Sequence, residues 1–282
     1  MRFHSWGKLG LALVLLLCFA VPTMSALGED LTHYMLMGFD FLGDTTIGTS
    51  FSDANLLVTI DKEHSQILLT SIMRDSYIPL PEGGHSKLNG ITRKYDIATH
   101  IEAVEQALGI DIAGYAAINE PGFSRIVNEM GGLEITLSNE EYQSLKNRDM
   151  VDGIPGPGTH LLPGKAVYAY LMDRYMGGGD GARTGKARDV AVVVIERVKS
   201  MPWNEVLVLM SMSLEEIEMN ISLSVILTEL AAVYQMKDLD IRQLQLPIEG
   251  AFWYDTVNGS STVRWNWDKN LAAFDAFLHQ EE

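Results

Sequence analysis

Residues 97–137 read IATHIEAVEQALGIDIAGYAAINEPGFSRIVNEMGGLEITL, and their periodicity decides the fold class. Ile97, Ile101, Val104 and Leu108 recur at the i, i+4, i+7 spacing of an amphipathic helix, which Gly109 stops. Gly114–Ile118 then reads as a strand, Pro121 opens a second helix that ends at Gly131-Gly132, and Leu133–Leu137 reads as a further strand. Helix, strand, helix and strand in so short a span argue for an α/β domain rather than an all-β sandwich or a helical bundle.

Working outward, the apolar run Tyr34–Phe39 ends in Asp40, and Leu56–Ile60 and Ile67–Met73 flank the polar turn Asp61-Lys62-Glu63-His64-Ser65 as a hairpin. Downstream, Asp149–Gly164 is punctuated by Gly and Pro and reads as a loop. Helices are predicted over Lys165–Tyr175, Lys186–Lys199 and Leu223–Met236, a strand near Ile241–Leu246 and a closing helix over Trp267–Leu278. No repeat or linker divides residues 27–282, which read as one domain.

At the N-terminus Arg2 and Lys8 precede the uncharged run Leu9–Val21, with Ser25 and Ala26 soon after. That is the layout of a secretory signal, or, if the run continues to Ala26, of an uncleaved anchor. Residues 1–26 are therefore expected to direct the rest of the chain out of the cytoplasm, secreted or held at the outer face of the membrane. The lone cysteine, Cys18, lies inside that run, so the remainder carries no internal disulfide and relies on a packed core. A hydrophobic fraction of 47% is ample for one. The formal charge of −16 argues against nucleic acid as a partner and makes any cationic cluster a local exception.

Two carboxylates stand at strand ends, Asp40 and Asp53, where they can share a divalent cation with substrate phosphates or else cap their turns. Arg74, in Met73-Arg74-Asp75-Ser76-Tyr77, directly follows an apolar strand; its forked donors suit phosphate oxygens, and a salt bridge is the alternative. The densest cationic signal is Arg174, Arg183, Lys186 and Arg188 around Gly177-Gly178-Gly179-Asp180-Gly181, a glycine loop running into a basic helix start. Lys87-Leu88-Asn89 follows another glycine-rich loop. The seven histidines are scattered and give no zinc pattern, and there is no G-x-S-x-G elbow. Trp253, Tyr254, Trp265 and Trp267 could form a carbohydrate platform, or pack as a lid or edge strand.

Taken in order, these segments resemble the LytR-CpsA-Psr family. The match runs through Leu36-Met37-Gly38-Phe39-Asp40, Ser52-Asp53, Ser71-Ile72-Met73-Arg74-Asp75-Ser76-Tyr77, Lys87-Leu88-Asn89, Gly122-Phe123 and Gly131-Gly132. It continues through Leu161-Leu162-Pro163-Gly164-Lys165-Ala166-Val167 and Arg174-Tyr175 with Asp180, Arg183 and Arg188, and closes on Leu246-Pro247-Ile248-Glu249-Gly250 and Trp267-Asp268. The core of the match spans residues 34–200.

The resemblance implies a three-layer α/β/α domain whose central mixed sheet encloses a hydrophobic tunnel for a polyprenyl chain. It implies transfer of a glycopolymer from a polyprenyl-pyrophosphate carrier to a peptidoglycan hydroxyl, with phosphodiester formation at the membrane surface. By position, Asp40 and Asp53 would face Mg²⁺ and the pyrophosphate, and Arg74, Arg174 and Arg183 would grip the phosphates beside Asp75. Lys87, Asn89, Lys186 and Arg188 would bind substrate. Three positions depart from the family pattern: Met172 stands where an arginine is usual, Lys186 replaces an arginine, and Ala187 replaces a glutamine. These departures leave open a changed substrate, weak activity or binding without turnover, and hydrolysis of the lipid pyrophosphate at the same site, with water in place of the sugar hydroxyl, is a further enzymatic alternative.

Overall fold

The computed structural model of the protein describes residues 31–39, 50–173 and 179–279, with side chains from residue 184 in the last stretch. In chain order the elements are β1 (Leu31–Phe39), β2 (Ser52–Asp61), β3 (Gln66–Ile72), β4 (Tyr77–Pro79), β5 (His85–Lys87), α1 (Leu88–Lys94), α2 (Ile97–Leu108), β6 (Ile112–Asn119) and α3 (Glu120–Glu129). There follow β7 (Leu133–Leu137), α4 (Asn139–Lys146), β8 (Gly158–Leu162), α5 (Gly164–Leu171), α6 (Gly179–Ser200), α7 (Trp203–Ser213) and β9 (Ile217–Met219). The chain closes with α8 (Leu223–Gln235), β10 (Asp240–Leu246), β11 (Phe252–Val257), β12 (Ser260–Trp265) and α9 (Trp267–His279).

The central six-stranded sheet has the order β10-β3-β2-β1-β6-β9. It is mixed: β10 runs parallel to β3 and β1 parallel to β6, while the other neighbours are antiparallel. The C-terminal ends of β1, β3, β6 and β10 and the start of β2 therefore share one edge. That edge is where ligands bind in open α/β sheets.

Side chains alternate across the strands, so each strand supplies two different layers. Met35, Met37, Leu57 and Leu68 pack on one face against Val104 and Leu108 of α2 and Phe274 of α9. On the opposite face Leu56 and Leu69 meet Ala191, Val192 and Ile195 of α6 and Val233 of α8. A second core, with Val127, Leu133, Leu162, Val167 and Val190, joins α3, α5 and α6 to the β7–β8 ribbon. The result is three layers, α/β/α.

Helix α2 keeps the bounds its periodicity predicts, because both ends are chemically fixed. The Asp96 side chain accepts from the Thr99 N–H at 2.7 Å, and Gly109 takes the left-handed conformation at φ 70°. Elsewhere the chain departs from local expectation. The Gly/Pro stretch 149–164 contains β8, whose pairing with β7 draws Leu133–Leu137 into a two-stranded ribbon outside the central sheet. The helix predicted over Lys165–Tyr175 ends at Leu171, and the one predicted from Lys186 begins at Gly179. Helix α7 and the β11–β12 hairpin are additional elements that local pattern does not announce. The expected leader 1–26, Asp40, Arg174 and the side chain of Arg183 lie outside the described residues. Among the described residues no helix is long and apolar enough to cross a membrane.

Candidate functional site

Between the sheet and α3, α5 and α6 lies an apolar cavity of about 430 Å³. One face of the alternating strands builds its floor: Leu36 and Gly38 of β1, Leu56 and Val58 of β2, Leu69 and Ser71 of β3, Ala116 and Ile118 of β6. Its roof comes from helical stripes, chiefly Phe123 and Ile126 of α3, Tyr168 and Leu171 of α5, and Ala187, Val190, Ala191 and Val194 of α6. Leu36 shows that the space is unfilled. It sits on a strand flanked on both sides by others, yet it is 38% exposed, whereas Met35 beside it on the opposite face is 0% exposed.

Two glycines keep this architecture close. A Cβ on Gly38 would come within 3.0 Å of the Ala54 Cβ across the β1–β2 ladder, just where the cavity meets Asp53. A Cβ on Gly164 would meet the Ser124 backbone at 2.1 Å, so the Pro163-Gly164 step is what lets α5 approach α3.

At the C-terminal edge of the sheet the cavity opens on polar groups. Asp53 lines it, and its Oδ1 accepts from Arg74 Nη1 at 2.7 Å. The β2–β3 hairpin brings together these two residues, 21 apart in sequence. Next to them Asp75 pairs with Lys87 at 2.6 Å, and the Asn89 N–H donates to the Arg74 carbonyl at 2.9 Å. The strand-end motifs around residues 53, 74, 87 and 89 thus converge on one rim.

The remaining basic positions divide. Arg188 reaches toward the same edge, where it bonds Ser71 Oγ, itself on the cavity wall, and Gln243 Oε1 at 3.1 Å. Burial pulls its guanidinium pKa below the usual value, and Asp189 partly offsets this. Lys186 does not line the cavity. It is buried against α5 and α4, with Nζ 3.3 Å from Glu141 Oε1, 3.4 Å from the Tyr170 carbonyl and 4.5 Å from the Tyr170 ring centre. Glu141 also caps α4 by accepting from the Ser138 N–H at 2.8 Å, so this ion pair ties two helices together. Burial, with Glu141 and Asp189 adding to it, raises the Tyr170 phenol well above its ordinary pKa. Met172 and Ala187, the two departures with no charge, are both wall residues of the cavity.

For a hard cation the rim offers oxygen donors. Asp53, at the β-bulge of β2 opposite Gly38 and Phe39, and Asn55 both line the cavity. The Asn55 Nδ2 donates to the Ser52 carbonyl at 3.0 Å, which leaves its buried Oδ1 without a hydrogen-bond partner. A carboxylate, an amide oxygen and substrate phosphates make a set that suits Mg²⁺. No group of three or more His, Cys, Asp or Glu able to hold a metal occurs among the described residues, so phosphate oxygens would have to complete the shell. The apolar wall positions carry no motif of their own; only the period-2 register of β1, β2, β3 and β6 could have marked them.

Fold and rim together define a three-layer α/β/α protein with an apolar chamber opening at a carboxylate–guanidinium edge. Residues 24–273 match the LytR_cpsA_psr family, and the chain belongs to it. It is 27% identical over 177 residues to the polyisoprenyl-teichoic acid–peptidoglycan teichoic acid transferase TagT of Bacillus subtilis, covering 62% of this chain and 55% of that protein. It is 29% identical over 182 residues to the probable cell wall biosynthesis protein LcpB of Corynebacterium glutamicum, covering 60% and 42%. The chain thus aligns with about half the length of these relatives. Among solved structures, B. subtilis TagT superposes with a TM-score of 0.73 at 22% identity, covering 92% of this chain and 94% of that one. YwtF (TagT) with bound octaprenyl pyrophosphate lipid gives 0.70 at 22% identity, covering 92% and 93%.

Proposed function

We propose that the protein transfers a glycopolymer from a polyprenyl-pyrophosphate carrier to a hydroxyl of peptidoglycan at the outer face of the cytoplasmic membrane. The observation that carries this reading is the juxtaposition of an apolar cavity of about 430 Å³ with the Asp53–Arg74 rim. The prenyl chain lies among the wall residues, where each buried methylene contributes roughly 0.8 kcal/mol, and the pyrophosphate emerges at the rim. Arg74, with Arg174, Arg183 and Arg188, holds the phosphate oxygens as the acceptor oxygen attacks the phosphorus bearing the glycan. The bond to the polyprenyl phosphate breaks, polyprenyl monophosphate leaves, and Asp53 takes the hydroxyl proton in this reading. Mg²⁺ held by Asp53, Asn55 and, by family position, Asp40 would neutralise pyrophosphate charge. Such chemistry rests on positioning and charge stabilisation rather than on a covalent intermediate. The leader-like residues 1–26 fit export of the chain to that compartment.

The apolar Met172 and Ala187 on the cavity wall favour a second reading, in which lipid is bound but turned over slowly or not at all. One experiment separates these. Purified protein is incubated with polyprenyl-pyrophosphate-linked glycan, peptidoglycan and Mg²⁺, and products are identified by mass spectrometry. The transferase reading expects polyprenyl monophosphate and glycan-bearing peptidoglycan. Monophosphate without labelled peptidoglycan would indicate hydrolysis, and bound but intact lipid would indicate a binding protein.

A further inference from the structure

The β11–β12 hairpin exposes two large aromatic residues, Trp253 at 55% and Tyr254 at 63%. A lone exposed aromatic means little, but Trp253 stands in a row. It pairs across the hairpin with Arg264. The bridge between Ser76 and Val263 sets the next residue, Tyr77, beside Arg264, whose guanidinium lies 4.2 Å from the centre of the Tyr77 ring. Tyr77 in turn pairs with Lys87 and stacks on His85 at 5.5 Å with the ring planes only 10° apart. Four neighbouring strands thus carry Trp253, Arg264, Tyr77 and Lys87 in one line, about 14 Å long at the usual strand spacing.

The line ends at the rim described above: Lys87 pairs with Asp75, which directly follows Arg74. Its cations are already matched, Arg264 by Asp255 at 3.0 Å and Lys87 by Asp75. The exposed Trp253 ring, in line with an Arg264-covered Tyr77 ring and edged by neutralised charge pairs, suits a ligand that is uncharged, has apolar C–H faces and carries hydroxyls around its edge. That is a neutral sugar chain, whereas a phosphate-bearing polymer would call for unmatched cations. The donor already has its pyrophosphate and prenyl chain as handles, but the acceptor has neither.

We propose that the Trp253–Arg264–Tyr77 row is a subsite for the neutral glycan strand of the acceptor, aligning a sugar hydroxyl with the phosphate rim; this rests on the transferase reading above. The Trp253 ring orients the strand, and the Asp255–Arg264 and Asp75–Lys87 pairs receive its hydroxyls.

The test uses the full chain and a soluble N-acetylglucosamine tetrasaccharide, titrated by NMR beside octaprenyl pyrophosphate. Trp253→Ala is expected to weaken tetrasaccharide binding by about five-fold or more, and Trp253→Phe to restore most of it. Melting temperature and lipid affinity should not change. Absence of tetrasaccharide binding by the wild type, or equal binding by Trp253→Ala, overturns the proposal. So does tighter binding of a glycerol-phosphate polymer at the same residues, or a loss in Trp253→Ala of adhesion to phosphatidylglycerol vesicles with sugar binding intact. Failure of the wild type to bind octaprenyl pyrophosphate would instead remove the transferase reading and leave the sugar titration to be judged by itself.

Discussion

Met35 and Leu36 are neighbours on β1 with opposite fates, and truncating each to alanine measures whether the cavity is open. Met35 is fully buried in the filled core between the sheet and α2, so Met35→Ala should cost about 2–5 kcal/mol of stability. Leu36 faces the cavity and remains 38% exposed, so it has fewer contacts to lose, and Leu36→Ala should cost the ligand-free protein only about 1 kcal/mol. The lipid-induced increment shows the opposite order. A ligand at about 100 times its Kd stabilises the wild type by about 2.7 kcal/mol. Losing the Leu36 isobutyl group from the wall should weaken binding roughly ten-fold, which cuts that increment to about 1.4 kcal/mol. Met35→Ala should keep nearly all of it. Urea unfolding with and without octaprenyl pyrophosphate reads both quantities from one set of curves. Equal destabilisation of the two ligand-free variants, or an undiminished lipid increment in Leu36→Ala, would refute an open chamber beneath β1.

Three further expectations concern the rim, the departures and pH. Arg74→Ala should weaken binding of a pyrophosphate ligand by about 1.5–3 kcal/mol, with Arg74→Lys recovering part because an ammonium lacks the planar fork; unchanged titration curves would make Arg74 a structural residue, as in its ion pair with Asp53. Met172→Arg places a guanidinium on the cavity wall, so it should melt near wild type and tighten pyrophosphate binding by about 1–2 kcal/mol; a melt lower by several kcal/mol would show Met172 packed in a dry core instead. His100, fully buried on α2, has its pKa pushed down to about 4 by burial, the nearby Leu88 backbone opposing this only in part. The unfolded chain therefore binds a proton below about pH 6.5 that the folded chain refuses down to about pH 4, so stability falls with pH across that window, by about 2 kcal/mol at pH 5. Denaturant curves at pH 7 and 5 should show the drop in wild type and a smaller one in His100→Leu.

Much of the central sheet is legible in the sequence because its decisive pieces are local. The hairpin of β2 and β3 needs only two apolar runs and the turn Asp61–Ser65, and α2 needs only its stripe and the caps Asp96 and Gly109. What escapes local reading depends on partners far along the chain. Gly158–Leu162 is a strand only because Leu133–Leu137 pairs with it, and glycine and proline content argues against it beforehand. The rim shows the same division. Asp53 and Arg74 are signalled by their positions at strand ends, and the hairpin delivers both. Lys186 shares their basic character, yet helix α6 turns it away from the cavity toward Glu141, a rotation that composition around Gly177–Gly181 does not encode. The cavity itself is invisible to pattern, since alternation marks a buried face without saying whether side chains or empty space lie beyond it.

The parallel pairing of β10 with β3 sets an order on synthesis. Every residue of β3 is buried, and its outer edge is covered by β10, whose Asp240 meets Gln66 from 174 residues away. The Met73 N–H, one residue before Arg74, is likewise held by the Leu246 carbonyl at 2.9 Å. Until residue 246 has emerged, the growing chain presents an apolar, unpaired strand at its most reactive edge, the kind of surface that aggregates or recruits a chaperone. Pairing at such separation is slow, so a chain cut before Asp240 should lose solubility as well as its arginine-bearing rim, even though every rim residue is still present.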